Sequence, residues 1–252
     1  MHMTQTYRPT LRIGSWVAVL LVSLLTTLAQ GRSTADAEFE ALARRFLSEA
    51  PAFSPVGATQ LGDHRYDGQL DEVSPAARDR ETRFYRELQQ ALEKNNRNQL
   101  SRANRVDASL LAHELEARIW SLEVLKEWEW NPLVYTGVCG SAIYGLVARE
   151  FAPLPDRLRN VTARLQQYDR FLEQARSALL PARIPKVHAE TVVKQNAGVL
   201  SILDDMVQPH LGQLPEADRH ELEKAMKTAR AAVEKHQQWL EQTMLPQAKG
   251  NF

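Results

Sequence analysis

The sequence predicts an all-α chain, a multi-helix array of about seven helices joined by short loops. Three observations carry that prediction. From Asp36 onward apolar residues recur at intervals of three and four. Prolines, serines and Asx residues fall where helices would start or stop. No segment alternates polar and apolar residues in the period-two pattern of a half-buried strand.

The totals narrow the class. The 252 residues carry 31 basic and 31 acidic side chains, a formal net charge of zero. Such balance leaves no electrostatic footprint for nucleic acid, so no nucleic-acid partner is expected. A hydrophobic content of 44% with 25% charged residues is ordinary globular material. One cysteine, Cys139, excludes an intramolecular disulfide framework and a cysteine-rich zinc knuckle.

Residues 1–35 read as an export signal or an N-terminal membrane anchor. Arg8 and Arg12 precede the uncharged run IGSWVAVLLVSLLTTLA, residues 13–29, with small residues beyond it. The run is slightly short of the roughly 20 residues of a comfortable span. Membrane contact is expected only through this run, if it is left uncleaved. The chain is then exported, either periplasmic or anchored in the inner membrane facing the periplasm.

Residues 36–252 form one helical domain. Asp36 caps a first helix with Phe39, Leu42, Phe46 and Leu47 on one face, stopped by Pro51. Next comes LGDHRYDGQL, residues 61–70, unusually polar and glycine-rich for a helical chain. Ser74-Pro75 reads as an N-cap and first helical residue, opening a helix that fades at Asn95-Asn96. Asp107 caps a long helix through Leu111, Leu115, Ile119 and Leu122, which Asn131-Pro132 ends. A glycine-punctuated apolar segment follows around Gly137, Gly140 and Gly145. Val161, Leu165, Tyr168, Leu172, Ala175 and Leu179 form the seam of another helix. A further helix runs from about Ala189 to Val207. The last opens at Pro215 and closes at Pro246.

Tests for chemistry mostly fail. A metallopeptidase helix needs His-Glu-x-x-His, because residues four apart share a helix face and can hold one ion. His113-Glu114 begins such a pattern, but residue 117 is alanine. His188 and Glu190 lie too close along the chain for a helical ligand pair, and His210, His220 and His236 read as solvated. No nucleophile elbow occurs, and Cys139 in its apolar run reads as a small hydrophobe. Two clusters remain as candidate groove-lining or inter-half contacts. Asp63, His64, Arg65 and Tyr66 occupy the polar loop; Trp130, Asn131 and Tyr135 occupy EWEWNPLVY, with His188 and Glu190 added from PKVHAET. Each cluster also reads as a plain helix corner.

The segments ATQLGDHRYDGQLDEVSP, NRVDASLLAHELEA, EWEWNPLVY, AREFAPLPDRLRNV and IPKVHAETVVKQNAGVL together resemble the N-terminal half of a bacterial exported family called domain of unknown function 885. The resemblance runs from about Phe39 onward. It implies a helical fold like the N-terminal part of a helical zincin, and a zinc-peptidase-like activity for a complete member. The zinc motif of that family, HEGxPGHxxQ, belongs to a C-terminal half that has no counterpart here. The resemblance therefore implies zinc for a full-length member but assigns no metal ligand, catalytic residue or cofactor to this chain. It implies a peptide substrate only together with the C-terminal half.

The leading expectation is thus a truncated, non-catalytic N-terminal portion of an exported zinc-metallopeptidase-like hydrolase, inactive alone. The alternative is a stand-alone periplasmic helical ligand-binding or interaction module; a third reading is a membrane-anchored scaffold. Helices shaped for an absent partner would leave apolar faces exposed, and the isolated chain is expected to be poorly soluble or to bind hydrophobic dyes.

Overall fold

A computed structural model describes residues 34–251; the apolar run at 13–29 lies outside them. Among the described residues eleven α-helical segments follow one another. The first five are α1 (Thr34–Glu49), α2 (Pro55–Gln60), α3 (Pro75–Lys94), α4 (Arg102–Trp120) and α5 (Glu127–Trp130). The rest are α6 (Leu133–Val147), α7 (Leu154–Leu165), α8 (Tyr168–Ala178), α9 (Lys186–Asn196), α10 (Gly198–Ile202) and α11 (Glu216–Trp239). The fold is all-α, and among the described residues no strand forms. One isolated pairing, Gly250 N–H to Ile184 O at 2.9 Å, joins the C-terminal residues to the start of α9. Gly250 is required there, since a Cβ would lie 1.9 Å from Arg183 O.

The helix count exceeds the expected seven because long periodic stretches break. The seam from Val161 to Leu179 is buried throughout, yet it turns at Gln166-Gln167 into two helices, α7 and α8. The stretch from Ala189 to Val207 divides at Ala197 and ends in a π turn, Leu203–Val207. The helix expected to reach Asn131 stops at Trp120. It loosens into a π turn, Ser121–Leu125, and reverses at Lys126, whose φ of 50° is left-handed.

Cap assignments divide. Ser74 caps α3 as expected, its hydroxyl accepting from Ala77 N–H at 3.1 Å. Asp107 does not cap α4; Ser101 does, accepting from Asn104 N–H at 3.2 Å. Asp36 lies inside α1 rather than at its cap. Its buried carboxylate accepts from Ser101 N–H at 2.9 Å and from Asn104 Nδ2 at 2.7 Å, tying α1 to the start of α4.

Two apolar bodies result. In the first, α1, α3 and α4 close around Phe39, Phe84, Tyr85, Leu88, Leu115 and Ile119. In the second, α6 to α11 surround Ile143, Leu158, Leu165, Tyr168, Phe171 and Leu240. Each fully buried aliphatic or aromatic side chain contributes about 1.5–3 kcal/mol. The segment between α1 and α3 crosses from one body to the other. Val56 and Leu70 belong to the second core, although the helices before and after them build the first. Several large apolar side chains remain at the surface, among them Leu47, Val106, Leu110 and Trp120.

Candidate functional site

The polar loop is built around a buried arginine that the sequence did not single out. Arg164, on α7, is 0% exposed. Its guanidinium donates to four acceptors: Gln69 O at 3.0 Å, Ala142 O at 2.9 Å, Pro55 O at 3.3 Å and Thr59 Oγ1 at 2.6 Å. Thr59 in turn donates to Asp67 Oδ1 at 2.6 Å, and His64 Nδ1 lies 3.0 Å from Asp67 Oδ2. Asp71 accepts from Val56 N–H at 3.0 Å and Ser54 Oγ at 3.3 Å, so its carboxylate caps α2 from across the loop. Burial pushes the Asp71 carboxyl up, against the pull of these hydrogen bonds and of Arg164. Burial likewise lowers the Arg164 guanidinium, countered by Asp67 and Asp71.

Local chemistry explains why the chain turns here. Gly62 takes φ 88°, and the bonds Asp63 N–H to Ala58 O and Gly62 N–H to Thr59 O close α2 in a Schellman arrangement. Asp63 then caps the short turn His64–Tyr66, accepting from Arg65 N–H. The Arg65 guanidinium pairs with Asp63 at 2.6 Å and donates to Ser48 O on α1, holding the Asp63 carboxyl below its ordinary value. Arg65 also covers the Tyr66 ring at 5.2 Å, and His64 stacks on Phe151 with centroids 3.7 Å apart. Gln167 completes the tie, accepting from Leu70 N–H at 3.3 Å and donating to Gly68 O at 3.0 Å. Arg65, through Ser48 on α1, and His64, through Phe151, thus reach the two bodies from one loop, with Asp63 and Tyr66 packed on Arg65.

The second cluster divides between core and cleft. Tyr135 is buried, its hydroxyl donating to Trp128 O at 2.7 Å and its ring edge-on to Phe171. Asn131, just before the Pro132 that opens α6, accepts from Leu133 N–H at 3.1 Å while its amide donates to Glu127 at 2.6 Å. Both are structural corner residues. Trp130 and His188 do come together: their rings stack 5.7 Å apart, and Trp130 Nε1 donates to Leu125 O at 3.0 Å. With Leu125, Arg183, Gly250 and Asn251 they line a cleft of about 520 Å³. Arg183 is held there by an ion pair with Glu129. Glu190 points away, exposed and 3.8 Å from Lys186.

A zinc site does not fit these residues. Among the described residues no three His, Cys, Asp or Glu side chains gather as metal ligands. His113 lies exposed with Ala117 where a second ligand would stand. His236, expected in solvent, is instead 0% exposed, stacked on Trp239, with neither ring nitrogen hydrogen-bonded. Cys139 is buried, as its apolar run suggested.

The described residues form a helical fold whose polar clusters bond mainly to other parts of the same chain. The sequence pattern of the family described as "Bacterial protein of unknown function (DUF885)" matches residues 55–252, and the chain belongs to that family. A solved structure of a candidate lipoprotein of unknown function from Shewanella oneidensis is similar, with a TM-score of 0.73 and 26% sequence identity. That match covers 80% of this chain and 37% of the other, so the chain spans little more than a third of the solved relative. No curated protein matches.

Proposed function

We propose that this chain is the non-catalytic N-terminal portion of an exported hydrolase of the zinc-peptidase type, inactive by itself. The observation that carries the reading is coverage: most of this chain corresponds to 37% of its solved relative, which leaves room there for a second, larger portion. The relative's description as a candidate lipoprotein supports export, to the periplasm or to the inner membrane facing it. In this reading the cleft at Trp130 and His188 is groove wall, and a peptide is engaged only together with the further portion. Because the donor set present does not suit zinc, no step through a metal is assigned to these residues.

Two measurements on the purified full chain test this: zinc content by mass spectrometry, and cleavage of a fluorogenic peptide library. The expected result is sub-stoichiometric zinc and no cleavage. Tight stoichiometric zinc with unaided cleavage overturns the reading.

A second reading, a stand-alone ligand-binding module, is favoured by one feature. A cavity of about 490 Å³ where the loop meets α3 and α8 has Phe53, Leu70 and Ala77 in its lining. Arg80, Arg170, Glu72 and Glu81 stand around it. Saturable stabilisation of the folded monomer by a small amphoteric compound such as free phenylalanine would favour this module.

A further inference from the structure

Helix α4 is apolar on two faces, and packing explains just one of them. Ala108, Leu111, Leu115 and Ile119 are buried against α1 and α3. On the outer side Val106, Leu110, His113, Ala117, Trp120 and Val124 follow one another at steps of four, three, four, three and four. That is the spacing of a coiled-coil seam. All six are exposed: Val106 to 56%, Leu110 to 65%, Trp120 to 50% and Val124 to 63%. The stripe runs about 27 Å at 1.5 Å per residue, with its last member on the π turn that prolongs α4. A scattered exposed valine needs no explanation, but a continuous seam of this length does.

The positions bordering the seam choose among occupants. After Val106, His113 and Trp120 stand Asp107, Glu114 and Ser121; before Leu110, Ala117 and Val124 stand Ser109, Glu116 and Glu123. Four of the six are carboxylates and none is a cation. Glu114 is neutralised from behind by Arg118 and Glu123 by Arg86; Asp107 and Glu116 have no such partner among the described residues. In a pair of α4 helices from two copies, antiparallel packing would set Asp107 and Glu114 against themselves. Parallel packing would set Arg102 against Asp107, Ser109 against Glu114 and Glu116 against Ser121, since each position before the seam meets the one five residues on in its partner. Like charges meet in the antiparallel pair, and the parallel pair offers a cation to just one of the four carboxylates, so a helix bordered by Lys or Arg along its length complements this face better than a second copy does.

We propose that the outer face of α4 docks one amphipathic helix of a different protein, apolar at seam spacing and bordered by Lys or Arg. The inference goes beyond the hydrolase reading and does not depend on it.

The test titrates the full chain into two dye-labelled 21-residue helical peptides, read by fluorescence anisotropy. Both carry Leu and Ile at seam positions; one has Lys at the bordering positions, the other Glu. The Lys peptide is expected to bind saturably and at least tenfold more tightly than its twin, weakening as salt rises. Val106→Glu and Leu110→Glu should each weaken it at least tenfold while leaving the thermal melt unchanged, since both side chains are already solvated. Equal affinity for the two peptides, no saturable binding, or indifference to both substitutions would overturn the proposal. So would a concentration-dependent dimer that Leu110→Glu abolishes, because the occupant would then be a second copy.

Discussion

Arg164→Met isolates the worth of the buried clasp. Methionine keeps most of the side-chain volume but removes every donor. Pro55 O, Gln69 O and Ala142 O lose a partner, and Asp67 and Asp71 lose the cation buried beside them. Breaking a buried charged network from one side costs about 3–5 kcal/mol. For a domain of this size each kcal/mol lowers Tm by roughly 2–4 °C, so the melt should fall by about 6–20 °C. Far-ultraviolet circular dichroism on heating measures it. Arg164→Lys, which retains charge but not the planar fork, should fall between the two. The deficit should also narrow in acid. Burial already raises the Asp71 carboxyl, a group whose folded value lies above its unfolded one and which costs stability as pH rises through that folded value. Losing Arg164 lifts it further, and protonation on acidification removes the penalty. An Arg164→Met melt within about 2 °C of the parent would show that the clasp is incidental to stability.

Other substitutions probe neighbouring features. Burial first, and Arg176 second, push the His236 imidazole down to about 3. With its folded value below the unfolded one, stability should fall as pH drops below about 6.5, by up to about 1.4 kcal/mol per pH unit. His236→Met should flatten that acid limb in urea titrations at pH 6, 5 and 4; parallel limbs would contradict it. Tyr135→Phe leaves Trp128 O unpaired and should cost about 1–2 kcal/mol, read from the urea midpoint. The Cys139 thiol, 1% exposed and pushed up by burial, should resist Ellman's reagent in the native chain and give one equivalent in guanidinium. Prompt native reaction would place it outside the core.

The helical class and the helix starts at Ser74-Pro75 and Pro215 were legible because they rest on local signals. The Ser74-Pro75 cap is one, the three-and-four spacing another. Breaks inside uniformly apolar runs were not: Gln166-Gln167 is ordinary helical sequence, and the turn there is fixed by packing on α11 and α6. Buried charge was equally hidden. Nothing in RNVTARLQQ separates Arg164, with no exposed surface, from the half-exposed Arg159 five residues earlier. The backbone carbonyls that make Arg164 tolerable come from three distant segments. Asp36 looked like a cap because its hydrogen-bond donors lie 65 and 68 residues away. The candidate loop was found by composition, but its role as a tie needed the partner that composition could not name. Only the stacked Trp130 and His188 emerged from the second cluster as cleft, since Asn131 and Tyr135 spend their polar atoms on their own corner.

The crossing of residues 54 to 71 bears on how this molecule could ever be divided. Its two ends are rooted in the body of α1, α3 and α4, while its middle is seated in the other body like a pin through a hinge. A chain begun at Pro75 would lose more than its first helices: it would leave a slot in the larger body where Val56 and Leu70 belonged, with Arg164 facing empty space. No single cut between the bodies frees two sound pieces, so melting and proteolysis should report one event for both.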